Sequence, residues 1–422
     1  MTTDKTTDMT TSHTTANVRE QLRIDGHLGP LNALDAPLTL EMSPLTVFIG
    51  PQGTGKSLIS QLLYFFRDAQ YLIANHSRQE SPHVTVRKII EGIRSGENST
   101  RAFSSFVMGN RVKLDYIKNT REETSKNWGV TCYESNRKIT ANPSFRREIE
   151  SWLSQIADNP IESGTLKARS IFVPAERSFF SRLINTDPQA LGSPDLPITM
   201  REFTTVLLTA AKIHQGWQEL GEEVPQEAAE IDQIITGELR GRAVFSKRGP
   251  YARHWQWLPQ ASERPIEIEM ASSGQMETWP MVSIAQALFS QTPSDRPLFI
   301  HIEEPETHLH PSAQVAITKL LAYLCNHGFR LVITTHSLLV LYVLNNLLLA
   351  DKNLPKQEFS ELPNLSQRLS PDQLSAYLFN DGTVTSVFDP DSQEIDESQL
   401  AHVLGDLEVE YNQIQAYNVL WS

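Results

Sequence analysis

The chain has 422 residues, with 37 Lys and Arg against 50 Asp and Glu, for a formal net charge of −13. A composition that is 40% hydrophobic and 21% charged, at this length, buries a core without staples and excludes wholesale disorder; the acidity excludes indiscriminate coating of nucleic acid. Two cysteines, Cys132 and Cys325, are too few for a disulfide framework or a four-thiolate zinc site and fit a reducing compartment. No apolar run reaches the ~18–20 residues that cross a bilayer, the most apolar stretch (338–350) being broken by Asn345 and Asn346. The start of the chain carries no hydrophobic signal region, so the expected location is cytoplasmic.

In chain order, residues 1–17 form a Thr-rich tail with little to bury, expected to be disordered. Residues 38–41 and 45–50 read as strands, the second buried and β-rich, and residues 56–66 as a helix with Leu58, Ile59, Leu62, Leu63 and Phe66 on one face. Helical spacing recurs at 86–93 and 144–156, with strand-like alternation between them, and residues 170–174 form a short strand. Two helices are expected over 199–240, then strands at 242–246, 255–258 and 265–270. Strand 298–302 and strand 331–335 are each preceded and followed by helices (274–290, 312–326, 338–349), and two short strands and a final helix near 397–413 complete the chain. Buried strands alternating with helices predict an α/β fold: a mostly parallel sheet flanked by helices, with an inserted mixed α/β lobe in the middle.

The segment Gly50-Pro51-Gln52-Gly53-Thr54-Gly55-Lys56-Ser57 matches G-x-x-x-x-G-K-[ST] between a strand and a helix. Glycines let successive backbone N–H groups wrap a phosphate, and the helix points its positive end at the same place. Lys56 is placed to reach the β/γ oxygens and the Ser57 hydroxyl to bind Mg2+. Residues 298–306 read LFIHIEEPE, and two carboxylates ending a buried strand are costly unless a cation or a reacting water uses them. Glu303 is therefore assigned to Mg2+, directly or through water, and Glu304 to polarising the attacking water. A second buried strand ends in Thr334-Thr335-His336-Ser337, where His336 is in place to hydrogen-bond a γ-phosphate or the water, or to serve the strand end alone. Ala271-Ser272-Ser273-Gly274-Gln275 precedes an apolar helix. Ser272 or Ser273 suits its N-cap, and the helix start is a second anion-ready site, which two chains related by a two-fold axis could close around one nucleotide.

In the order GPQGTGKS, ASSGQ, IEEPETHLHP, TTHS, the chain resembles ABC-type ATPase heads, P-loop NTPases of the RecF, structural-maintenance-of-chromosomes and overcoming-lysogenization-defect (OLD) branch, with AAA-like ATPases of prokaryotic defence and repair islands nearest in style. The resemblance covers about 20–75 and 165–350. It implies an ATPase using ATP and Mg2+, with residues 50–57 as Walker A, Glu303 as the Walker B carboxylate, Glu304 as catalytic base and His336 as switch histidine. It also implies that Ser272, Ser273, Gly274 and Gln275 contact ATP bound to the opposite subunit of a homodimer or higher oligomer, and that residues 308–311 stand in the dimer-contact loop. Gln52 stands where Asn is usual, Ser273 where glycine is, and the Q-loop glutamine has no firm place, Gln70 being the candidate. Pro174-Ala175-Glu176-Arg177 resembles a turn common in this branch, without an assigned role. The domain plan implied is a tail (1–17), a head (18–350) with an inserted lobe near 80–165 and a helical segment near 199–240, and an acidic extension (351–422) packed on the head.

Residues 101–147 hold ten Lys and Arg (Arg101, Arg111, Lys113, Lys118, Arg121, Lys126, Arg137, Lys138, Arg146, Arg147) against four acids, with Tyr116, Trp128 and Tyr133 interleaved: either a surface for nucleic acid or a solvated lobe. Residues 389–410 carry eight acids and no Lys or Arg. The leading expectation is an ATP-driven switch of a DNA-related or anti-phage system that controls a separate effector, a nuclease or toxin. The alternatives are a scaffold that cages a toxin without turnover and a nucleotide-binding subunit of an ABC transporter. Asp389-x-Asp391 lacks a preceding glycine-flanked Glu strand, so no intrinsic Toprim-type nuclease is expected.

Overall fold

The structure, a computed structural model of the chain, describes residues 19–76, 81–96, 103–119, 126–158, 170–187, 189–248, 252–292, 296–359, 362–396, 398 and 409–414. The tail 1–17, Arg101, Arg121 and most of the expected last helix lie outside the described residues.

The run Leu-Thr-Val-Phe-Ile forms the strand Leu45–Ile49, buried at all five positions. Alternation sends Leu45, Val47 and Ile49 into one core and Phe48 into another, the two-sided burial of a central parallel strand. Its sheet has six strands in the order Thr383–Ser386, Leu374–Asn380, Leu45–Ile49, Arg330–Thr335, Phe299–Glu303 and Ile171–Val173. All are parallel to their neighbours except the first, which pairs antiparallel with the second. Thr334 stands opposite both Phe48 and Glu303, so the chain leaves the sheet at Gly50, Glu304 and His336 on the same carboxyl side. That is where open parallel sheets form their ligand crevice.

Three features differ from the sequence-based reading. The segment after residue 350 does more than pack on the head: Leu374–Asn380 pairs in parallel along the whole of Leu45–Ile49. The sequence carried no sign of this, because a parallel strand needs no hairpin turn to announce its partner. The strands of the middle segment, Val107–Asn119, Lys126–Tyr133 and Ile139–Ala141, join Arg19–Leu28 and Leu31–Met42 in one five-stranded antiparallel sheet, so this segment shares its sheet with the chain's first two strands. The expected strand over 265–270 shortens to Ile266–Glu267 followed by a 3₁₀ turn, Ile268–Met270.

The helix Lys56–Arg67 lies between the antiparallel and parallel sheets. Its Phe65 and Phe66 pack with Tyr116 and Phe145. A buried polar set locks it to the acidic strand: Ser60 lies 3.3 Å and Arg67 3.2 Å from His301, and Arg67 pairs with the buried Glu20 at 2.8 Å. Among the described residues no helix is long and apolar enough to cross a membrane.

Candidate active site

Gly55 ends the phosphate loop in the left-handed region (φ 99°), and no side chain caps the helix it opens, so the first-turn N–H groups keep no side-chain partner. Lys56 curls under this loop and donates to the carbonyls of Gly50 (2.7 Å) and Pro51 (2.6 Å). Burial pulls its ammonium down to about 8, against the opposing charges of Glu304 and Glu306. A cavity of about 230 Å³ opens over it, lined among others by Gln52, Gly53, Thr54, Ser57, Glu304 and His336.

Beyond Lys56 runs a chain of polar contacts. Its Nζ stands 3.4 Å from His336 Nδ1, and His336 Nε2 stands 2.8 Å from Glu304 Oε1. An ammonium can only donate, so Nδ1 accepts; the ring proton then sits on Nε2 and is donated to Glu304. That hydrogen bond, the largest cause, holds the Glu304 carboxyl below the usual carboxylate range, with the nearby Lys56 charge helping. Glu304 thus presents an ionised carboxylate to the cavity. Its backbone is strained: φ is +42°, a conformation costing a non-glycine residue roughly 1–3 kcal/mol and kept only where surroundings impose it. Here the Glu304 N–H donates to the Thr334 carbonyl at 2.9 Å and the Glu304 carbonyl accepts from Arg177 at 2.8 Å.

Glu303, by contrast, points into the protein behind Ser57, whose hydroxyl is its hydrogen-bond partner, with the Gln61 amide at 3.4 Å. Burial pushes its carboxyl up to about 7. A raised carboxyl favours the folded state only while protonated: the contribution is complete below about pH 4.5 and is lost as pH rises through 7. Between those limits the loss is roughly 3 kcal/mol. In EDTA, the melting temperature of the parent should therefore fall relative to that of a Glu303→Gln variant between pH 5 and pH 8. A gap that stays constant across this range would rule out a carboxyl raised by burial at this position.

The residues fit Mg2+. A buried carboxylate with no ion pair among the described residues, and only the Arg94 charge acting on it from farther off, stands beside a serine hydroxyl, at a helix start ready for phosphate. Among the described residues no three His, Cys, Asp or Glu side chains cluster as a metal cage; Mg2+ is commonly held by one or two carboxylates plus substrate phosphates.

The Ser272 turn sits elsewhere. Ser272 caps the helix Ser273–Leu288 by accepting from the Gln275 N–H (3.4 Å), and Gln275 returns the bond to the Ser272 N–H (2.9 Å) while its amide donates to the Leu239 carbonyl (2.8 Å). The Gln275 side chain is thus used within the turn, while Ser272 and Ser273 are exposed and Gly274 is half-buried. Gly274 has no room for a side chain: a Cβ there would stand 2.7 Å from the His308 carbonyl. His310 caps the next helix, Pro311–Asn326. None of Ser272, Ser273, Gly274 or Gln275 is among the residues lining the Lys56 cavity.

Several residues at the site escaped the sequence reading. Glu306 accepts from the Thr335 hydroxyl (2.5 Å) and the His336 N–H (2.9 Å), fixing the histidine loop. Arg94, Pro30 and Phe106 line the cavity, and Arg94 lies over the Phe106 ring and donates to Gln61 at 3.3 Å. Arg177, singled out in the sequence only as part of a turn without an assigned role, is fully buried at the strand ends. The repeated Glu in EEPE was a signal for Glu306; the others come from distant segments. Gln70 is exposed and is not among the lining residues. In the basic segment, Tyr116 is buried and the half-buried Trp128 stacks on Phe145 at 5.5 Å, so both rings pack with the core. Arg137, Lys138, Arg146 and Arg147 are exposed. Asp389 accepts from the Asp391 N–H and the Ser392 hydroxyl, closing its own turn.

Residues 115–340 match the model of a family described as "AAA ATPase domain". No curated protein matches the chain. Similar solved structures include an Smc head bound to the C-terminal winged-helix domain of ScpA (13% identity, 87% of this chain and 96% of that one, TM-score 0.47). An Smc head with an extended coiled coil, bound to the C-terminal domain of ScpA and derived from Pyrococcus furiosus, is 12% identical over 92% and 99% of the two chains, with a TM-score of 0.46. The SMC head domain from Thermotoga maritima is 12% identical over 87% and 98%, with a TM-score of 0.39.

Proposed function

We propose, from the premise that this chain belongs to the AAA ATPase domain family, that it is a Mg2+-dependent ATP hydrolase in which two copies close around nucleotide and act as a switch. The observation that carries this reading is the Lys56–His336–Glu304 chain of contacts in one cavity. Residues 50–57 bind the phosphates through backbone N–H groups, and Lys56 exchanges its carbonyl partners for phosphate oxygens. Ser57 and Glu303 would hold Mg2+, which shields phosphate charge when bound. Glu304, kept ionised by His336, accepts the proton of the attacking water, and His336 holds that carboxylate in place. Support for the two-chain form is the separation of Ser272, Ser273 and Gly274 from the Lys56 cavity: as an outward helix start they suit a phosphate held by another copy.

The switch would control a separate effector in a DNA-related or anti-phage system. The exposed Arg137, Lys138, Arg146 and Arg147 leave nucleic acid as a candidate partner of that switch. Titration calorimetry with Mg-ATP, alongside phosphate release, tests the core of the reading. Saturable binding with turnover is expected; a flat thermogram with no phosphate released would end it.

A further inference from the structure

Arg177 is fully buried and its guanidinium spans three separate pieces of chain. Nη1 donates to the carbonyls of Pro174 (2.7 Å) and Glu303 (2.6 Å), Nη2 to the Glu304 carbonyl (2.8 Å), and Nε to the Glu277 carbonyl (2.8 Å). Two of these four acceptors are the backbone of the two site glutamates. Another, at Glu277, is on the second turn of the helix Ser273–Leu288, whose start carries the outward serines. Glu277 is buried too: its carboxylate accepts from the Ser178 N–H (3.0 Å), stands 3.8 Å from Arg177 Nε, and lies 3.7 Å from His308. One turn after Arg177, the Ser181 hydroxyl donates to the Met276 carbonyl (2.6 Å) and accepts from the Trp279 ring N–H (2.7 Å). The helices Arg177–Leu183 and Ser273–Leu288 are thereby cross-bonded at two levels.

A side chain needed only to fill space here could be apolar, since burying a guanidinium is costly unless its bonds are specific. These bonds are specific. One goes to the carbonyl of Glu304, the residue held at φ +42°. We propose that Arg177 is a positioning residue that ties the two half-sites of one chain together: it fixes the Glu303–Glu304 turn and, through Glu277, references that turn to the helix start bearing Ser272, Ser273 and Gly274. A shift of that helix start on meeting a partner's phosphate then moves Glu304 directly. The inference rests on the two-chain reading for its purpose, but the mechanical link is a property of the single chain.

The test uses the full chain and two variants, Arg177→Lys and Glu277→Gln. A lysine offers three donors from one point and cannot span four carbonyls. Glu277→Gln keeps the backbone acceptor and the bond from Ser178 but loses the charge. At a temperature where the variants are folded, hydrogen exchange in Arg177→Lys should speed up together at 303–307 and at 272–278, with 50–57 unchanged. Its kcat should fall by about 10–100-fold, the scale of a misplaced catalytic group, with KM within about threefold. Glu277→Gln should move both readouts in the same direction by less. Faster exchange in one segment alone, exchange spread evenly over the chain, or a KM that rises as far as kcat falls would overturn the proposal in favour of simple packing. Should the parent hydrolyse no ATP, the two-chain ATPase reading fails, and the exchange pattern alone decides the link.

Discussion

Glu304→Gln should retain Mg-ATP binding, lose turnover by about 10²–10⁴-fold, and accumulate as a nucleotide-bound pair of chains. The geometry isolates one property. Glutamine has the same shape, can still accept from His336 Nε2 at the 2.8 Å position, and can still meet the Thr307 hydroxyl now 3.3 Å from Glu304. It places no new demand on the backbone at φ +42°, which the native non-glycine residue already adopts. What it cannot do is take a proton. Light scattering in Mg-ATP should report a doubled mass for the variant and a mixture for the parent. A variant that turns over like the parent would remove the role given to Glu304; one that binds ATP yet stays single would remove the two-chain pocket and leave the base untouched.

Gly50→Ala should be the most damaging single change in the phosphate loop, costing about 2–5 kcal/mol from backbone strain and overpacking together. Gly50 sits at φ 142°, and a Cβ built there runs into the carbonyl and amide of Phe379 on the neighbouring strand Leu374–Asn380. Backbone cannot rotate away as a side chain can, so either that strand or the loop must shift, and Mg-ATP affinity should fall with stability. Gly53→Ala is the internal control. It also has positive φ (77°), but its Cβ would meet nothing within 4 Å, so only the strain of about 1–2 kcal/mol remains. Urea denaturation of the two variants should separate them clearly. Equal midpoints would mean that the Phe379 contact does not hold the loop.

The second prediction depends on a contact that no local pattern announces. Residues 50–57 were legible because the whole device is contiguous: a buried β-rich strand, glycines and a helix start follow one another. Glu303, Glu304 and His336 were legible for a related reason, since each ends a strongly apolar run and a polar residue there has few bland uses. The Ser272 turn was legible as a cap; that Gln275 spends its side chain within the turn and on Leu239 was not.

Local composition thus determined the strands, the phosphate loop and the acidic strand end of this protein, because those features are written within about ten consecutive residues. Only the tertiary structure decided that Leu374–Asn380 flanks the phosphate loop, that Tyr116 is core with the half-buried Trp128 packed against it, and that Arg177 holds the carbonyls of Glu303 and Glu304. The parallel pairing and the guanidinium's bonds to Glu303 and Glu304 join segments more than a hundred residues apart, and the two rings are packed by Phe66 and Phe145 from other elements; no short stretch of sequence carries the free energy that selects among them.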